Sequence, residues 1–225
     1  MALEIPLLPP DMLVAATEST SHTMCWVMSE LICNPEIMQK VQSEVRGILN
    51  GKTSIKESDI NELKYLHNVI MEALRLHTPL PLLLPRTSEV SMELMGYKIP
   101  PKARVVVNAW AIARDPKIWQ DPEKFLPERF DSCSMDFKGS SYRYLPFGAG
   151  RRICPGTTFA LAGMKHFLAR LLFHFDWKIP HGGSREEFDM EEVFDGTMKR
   201  KHDLCLIAIP YDDDLKASLA AAPQY

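Results

Sequence analysis

The chain has 225 residues, enough for one large domain, and 46% hydrophobic against 24% charged residues excludes a wholly disordered chain, a collagen-like repeat and a small disulfide scaffold. A net charge of −3 provides no global basic field to recruit nucleic acid or anionic lipid. Seventeen prolines against eleven glycines point to rigid bends between short elements.

In chain order, Pro9-Pro10-Asp11 reads as a helix start, and the run from Met12 to Cys33 has no Gly or Pro to stop it. Asn34 is the expected cap of a second helix with Pro35 at its first position. Met38, Val41, Val45 and Ile48 form its apolar stripe, and Gly51 ends it. A third helix is predicted after Asp59, where Leu63, Leu66, Val69, Ile70, Ala73 and Leu74 step by threes and fours. It must stop by His77 or Thr78, because Pro79, Pro81 and Pro85 follow. Met92 to Ile99 and Arg104 to Val107 read as β-structure flanking a Pro100-Pro101-Lys102 turn. Arg114 to Pro155 is mostly coil, broken by Pro116, Pro122, Pro127 and Pro146, and loops of that length usually serve function. The last long helix runs from Thr157 to His174, with Met164, Phe167, Leu168, Leu171, Leu172 and Phe175 as its buried stripe. Short strands are expected around Trp177 to Ile179 and Leu204 to Ile209, and the tail over 212–225 is expected to be disordered.

The five cysteines, Cys25, Cys33, Cys133, Cys154 and Cys205, are odd in number and scattered without a C-x-x-C pair. This argues against a disulfide framework or a zinc site and for a reducing compartment. No stretch has the apolar length of a bilayer span, and Met1 to Pro10 lacks the pattern of a secretory signal, so the chain reads as soluble or peripheral.

One stretch carries chemistry: Phe147-Gly148-Ala149-Gly150-Arg151-Arg152-Ile153-Cys154-Pro155-Gly156. Its glycines let the backbone turn tightly and bring N–H groups toward the sulfur. The helix that follows, with Arg151 and Arg152, favours thiolate over thiol, and such a thiolate is a soft, electron-donating metal ligand. A lone cysteine in a Gly-rich turn is more often structural. Here, however, Phe147, Gly150, Arg152, Cys154 and Gly156 match F-x-x-G-x-R-x-C-x-G at every fixed position, and the chain resembles the cytochrome P-450 family of haem-thiolate monooxygenases.

The resemblance implies haem b (iron protoporphyrin IX) with the Cys154 thiolate as axial ligand, Arg152 paired with one propionate and Phe147 beside the sulfur. Leu84-Pro85-Arg86 resembles the segment whose arginine reaches the second propionate, although an exposed arginine after a proline bend is as good a reading of Arg86. Glu72-Ala73-Leu74-Arg75 is an E-x-x-R with both side chains on one helix face, a spacing that a surface ion pair explains by itself. Phe125 to Phe130 resembles the P-E-R-F element, which implies a buried triad of Glu72, Arg75 and Arg129 that locks the coil leading to Cys154. Ala15-Ala16-Thr17-Glu18-Ser19-Thr20 resembles the oxygen-activating helix. It implies Glu18 and Ser19 as the catalytic acid–alcohol pair that relays protons, with Ala16 replacing a usual glycine and Ser19 a usual threonine.

Val14 and Ala15, then Leu80, Leu82 and Leu83, then Phe194 match three substrate-lining regions and imply a small apolar substrate, though any one of them alone reads as ordinary core. Asn108 to Pro116 and Leu145-Pro146-Phe147 are most like plant microsomal members. The resemblance spans Asp11 to about Ile209 and corresponds to the C-terminal half of a member. The expected fold class is mainly α with small β-sheets, and 1–225 is expected to form a single partial domain. The implied activity is insertion of one oxygen atom of O2 into the substrate, with electrons from an NADPH-dependent flavoprotein reductase. Arg151, Arg152 and Lys165 are candidate docking charges for that reductase. Two alternatives stay open: a truncated haem-binding remnant without turnover, and an oxygen-independent haem-thiolate isomerase or lyase. The family's place is the cytosolic face of the endoplasmic reticulum membrane, whereas this chain shows no anchor and would then be cytosolic.

Overall fold

The computed structural model describes residues 10–52, 55–131 and 141–211. Cys133 and the expected disordered tail lie outside the described residues.

Four helices build the core. Helix α1 (Pro10–Cys33) follows from a run with no breaker, and its second half, from Trp26 to Ile32, is buried. Helix α2 (Pro35–Leu49) buries Met38, Val41, Val45 and Leu49, so the stripe ends one residue beyond the expected Ile48, which is only partly covered. Asn34 precedes α2 but does not cap it with its side chain. Its amide instead donates back to the Glu30 carbonyl (2.9 Å) and to Glu30 Oε2 (3.2 Å), which ties the end of α1 to the start of α2.

The helix expected after Asp59 is split into α3 (Glu57–Asn61) and α4 (Lys64–Leu76). Asp59 lies inside α3 and accepts the Lys56 N–H, so it closes that helix's first turn instead of preceding it. The break persists because a distant group serves the new helix start. Glu44 of α2 accepts the N–H groups of Tyr65 (2.7 Å) and Leu66 (2.9 Å), two donors that the first turn of α4 leaves open. Helix α4 is buried almost all round and packs on α1, on α2 and on α6 (Thr157–His174). On α6 the covered residues are Leu161, Met164, Leu168, Ala169 and Leu172. Phe167 falls off that stripe and stands 59% exposed, against the expectation that it is core.

Among the described residues the sheets are four separate antiparallel pairs. Strands β1 (Arg86–Thr87) and β4 (Arg104–Val105) pair with Arg86 opposite Val105. Between them β2 (Met92–Leu94) and β3 (Tyr97–Ile99) form their own hairpin. The expected turn at Pro100-Pro101-Lys102 therefore joins two different pairs. Met95 and Gly96 both have positive φ, at 50° and 82°, the backbone of a tight two-residue hairpin turn. A short helix, α5 (Ala109–Ala113), was not expected; Asn108 Oδ1 caps it by accepting the Ala111 N–H at 2.9 Å. The remaining pairs are β5 (Phe175–Lys178) with β8 (Ile207–Pro210) and β6 (Glu192–Asp195) with β7 (Thr197–Arg200). Among the described residues no helix is long and apolar enough to cross a membrane.

Candidate functional site

The coil between α5 and α6 is held by a buried ionic knot. Glu72 and Arg75, three residues apart on α4, are both fully buried. Arg75 grips Glu72 with two parallel bonds, Nε to Oε2 at 2.8 Å and Nη2 to Oε1 at 2.9 Å. Its Nη1 donates to the carbonyls of Ala113 (2.7 Å) and Pro122 (2.8 Å). Arg129, in the 3-10 turn Pro127–Phe130, donates Nε to Glu72 Oε1 at 3.0 Å, and its other nitrogens bond the carbonyls of Gln120, Asp121 and Lys124. Glu72 Oε1 also accepts the Leu126 N–H at 2.9 Å. Further on, the buried Tyr144 hydroxyl donates to the Met71 carbonyl at 2.7 Å, anchoring the chain just before Phe147.

From that anchor the chain forms the cysteine loop. Gly148 and Gly150 have φ of +74° and +70°, positions that side chains resist, and Gly150–Arg152 is a single 3-10 turn. The Cys154 N–H donates to the Phe147 carbonyl at 2.9 Å, and the Thr157 hydroxyl donates to the Cys154 carbonyl at 2.9 Å, so the loop runs directly into α6. Cys154 is a free, exposed thiol. Gly156 lies beside it, since a Cβ there would stand 3.8 Å from Cys154 Sγ. Arg151 and Arg152 are exposed. Arg86, at the start of β1, reaches across to the Ala149 carbonyl (3.1 Å), which brings a third cation to the loop.

The elements that carry the three apolar regions singled out in the sequence are tied to one another by hydrogen bonds. Val14 and Ala15 are exposed on the first half of α1, Leu82 is exposed, and Phe194 on β6 is 61% exposed. The Met198 N–H of β7 donates to the Pro79 carbonyl at 2.8 Å, joining the hairpin to the Leu80–Leu83 segment. His22 Nδ1 lies 2.9 Å from Thr197 Oγ1, joining the same hairpin to α1 one turn beyond Glu18 and Ser19. Leu83 has a φ of +49°, a costly conformation for a branched side chain, and Leu80 accepts its N–H at 3.0 Å. Glu18 is exposed; the Ser19 hydroxyl donates to the Ala15 carbonyl at 2.7 Å. Two open surface depressions, one over Asn61, His67 and Lys165 and one between Phe188 and Arg200, do not include Cys154.

Sequence reasoning missed a second buried polar cluster, in which His77 stands between Glu30 and Glu192. A histidine between a helix end and a proline was the available signal. Its partners, 47 and 115 residues away, were invisible.

The comparisons agree with this geometry. The sequence profile of the cytochrome P-450 family matches residues 4–206. The chain is 52% identical over 197 residues to a desmethyl-deoxy-podophyllotoxin synthase of Sinopodophyllum hexandrum, covering 88% of this chain and 39% of that protein. It is 51% identical over 201 residues to a premnaspirodiene oxygenase of Hyoscyamus muticus, covering 89% and 40%. It is 54% identical over 198 residues to a tabersonine 16-hydroxylase of Catharanthus roseus, covering 88% and 39%. The chain thus spans about two-fifths of the length of these curated relatives. Among solved structures, a zebra fish cytochrome P-450 with abiraterone superposes with a TM-score of 0.79 at 29% identity, over 90% of this chain and 47% of that one. With a matched profile, relatives above half identity and a shared fold, the chain belongs to the cytochrome P-450 family, whose cofactor is a cysteine-ligated haem.

Proposed function

We propose that this chain carries the haem-thiolate centre of a monooxygenase that inserts one oxygen atom of O2 into a small apolar substrate. The observation that carries the reading is the exposed Cys154 thiol, presented by a glycine-shaped loop at the start of α6 with Arg86 and Arg152 on the same loop region. The residues present fit haem b: a soft sulfur donor that no disulfide consumes, and guanidinium groups for its carboxylates. In this reading the Cys154 thiolate would ligate the haem iron, Arg152 and Arg86 would hold the propionates, and Phe147 would pack beside the sulfur. Gly156 keeps side-chain bulk from the sulfur, and Gly150 supplies the positive φ that turns the loop. Haem, when bound, supplies the redox chemistry that activates dioxygen.

The protein's own part is binding, orientation and proton delivery. Glu18 and Ser19 are the proton relay, with Glu18 exposed to draw protons from solvent and the Ser19 hydroxyl free to rotate from its Ala15 bond toward a reacting group. Val14, Ala15, Leu80, Leu82, Leu83 and Phe194 line the substrate side, and their apolar surface selects an apolar molecule. Electrons come from an NADPH-dependent flavoprotein reductase that docks on the face bearing Arg151, Arg152 and Lys165. The cytosolic face of the endoplasmic reticulum membrane is the matching location.

The test is the absorption spectrum of the haem-loaded chain, reduced and exposed to carbon monoxide. A strongly red-shifted Soret band that Cys154→Ser abolishes is the expected result. A band at the imidazole-ligated position, or no bound haem, overturns the reading.

A further inference from the structure

His77 directly follows the last residue of α4 and is buried. Its Nδ1 lies 2.6 Å from Glu192 Oε1 at the start of β6, and its Nε2 lies 2.8 Å from Glu30 Oε1 on α1. The ring stacks flat on Trp26, with centroids 3.9 Å apart and planes 2° from parallel. An ionised carboxylate only accepts hydrogen bonds, so a ring held between two of them must donate from both nitrogens, and only the imidazolium does. The surroundings support that charge. Glu30 is oriented from its other oxygen by the Asn34 amide at 3.2 Å.

Two further cations face this cluster: Arg114, which also pairs with Glu123 at 3.3 Å, and Arg200, whose Nη2 stands 3.8 Å from Asp189. Arg114, after α5, bonds the Leu76 carbonyl at 2.7 Å and is attracted to Glu192. Arg200, on β7, stands over the Trp26 ring with its guanidinium carbon 5.5 Å from the centroid. Burial alone would lower the His77 pKa, but the bonds from Glu192 and Glu30 and their charges outweigh it and raise it.

The β6–β7 hairpin has several ties to the helical core, and they divide by strand. Thr197 to His22, Met198 to Pro79, and Arg200 Nη1 to Ser29 Oγ at 2.9 Å all grip β7. Glu192 reaches His77 from β6, the strand that carries the exposed Phe194. We propose that His77 is a positioning residue: as an imidazolium clamped between Glu30 and Glu192, it fixes β6 against α1 and thereby sets the stance of Phe194. Its effect on substrate selection rests on the function proposed above; the clamp itself does not.

The experiment is amide hydrogen exchange on the full chain without haem, comparing wild type, His77→Phe and Glu192→Gln from mildly acid to mildly alkaline pH. Phenylalanine keeps the stack on Trp26 and removes both bonds, while Glu192→Gln removes one charge with the shape intact. Both variants are expected to speed exchange in residues 192–195 by about ten-fold below neutrality, the scale of one lost charge-assisted hydrogen bond, with α2 and α6 unchanged. The hairpin's protection factor in wild type should also fall as pH rises through the His77 pKa, a dependence that His77→Phe abolishes. Should His77→Phe fail to fold, Glu192→Gln decides by the same measurement. Unchanged hairpin protection, or equal loosening of the whole chain, overturns the proposal. Since no haem is present, a failed carbon monoxide spectrum would sink the monooxygenase reading and leave this one standing.

Discussion

Glu72 carries more of the fold than its single charge suggests. Its two oxygens accept from Arg75 twice, from Arg129 and from the Leu126 backbone, all without solvent. Two guanidiniums share this one carboxylate, and the excess positive charge is spread over carbonyls from Ala113 to Lys124. Such a cluster gains little over a well-packed apolar substitute, but removing one member strands the others. Glu72→Gln keeps the shape and removes the charge, leaving a fully buried Arg75 beside Arg129. We expect it to cost about 3 to 5 kcal/mol in urea unfolding followed by circular dichroism, and a loss below about 1 kcal/mol would refute the dependence. Arg75→Lys should come close to the same loss, because one ammonium cannot reproduce a fork that serves Glu72 and three carbonyls.

Between elements, the capping of α4 by Glu44 shows how a helix start is set from elsewhere in the chain. Glu44→Ala leaves the Tyr65 and Leu66 amides without their acceptor in a covered position and removes a negative charge from a helix N-terminus. The expected cost is about 1 to 2 kcal/mol, read as a lower urea midpoint and faster exchange in the first turn of α4, with Glu44→Gln losing less because it keeps one acceptor. Nothing near Leu63 announces this break, which is why a single continuous helix was the natural reading there. Local patterns were legible where they act locally: the spacing of Met38, Val41 and Val45 sufficed for α2, and the glycines before Cys154 sufficed for its loop. The Asn108 cap of α5 was also present in the sequence, but five residues are too few to display a helical period. Met95-Gly96 was overshadowed by the prolines that follow it, so Met92 to Ile99 was read as one β segment and not as a hairpin of its own. The contacts that assemble the site, Arg86 to Ala149 and Met198 to Pro79, cross long stretches of chain and leave no periodic trace.

Across the whole molecule, α4 carries two histidine environments that pull its stability in opposite directions with pH. At its C-terminal end His77 has a raised pKa, so its contribution is complete below the ordinary histidine value of about 6.5 and fades as pH climbs through the folded value. Near its start, His67 is pushed down to about 4 by burial and by the neighbouring Lys165. Between that value and about 6.5 the unfolded chain binds a proton there and the folded chain does not, so stability rises with pH across this window. The carboxylates with lowered values, Asp59, Glu128, Asp189 and Asp195, act below the ordinary carboxylate range of about 4, so they leave the window above it to His67. His67 is half-buried, so solvent screens the effect, and a loss of about 1 kcal/mol on acidification from neutrality to just above the carboxylate range is expected. His67→Gln, neutral at every pH, should flatten this acid limb and leave the alkaline limb intact, whereas His77→Phe should do the reverse. Urea midpoints measured across the range for the two variants separate the limbs. An acid limb that survives His67→Gln would assign it to carboxylates instead and would remove His67 from the account.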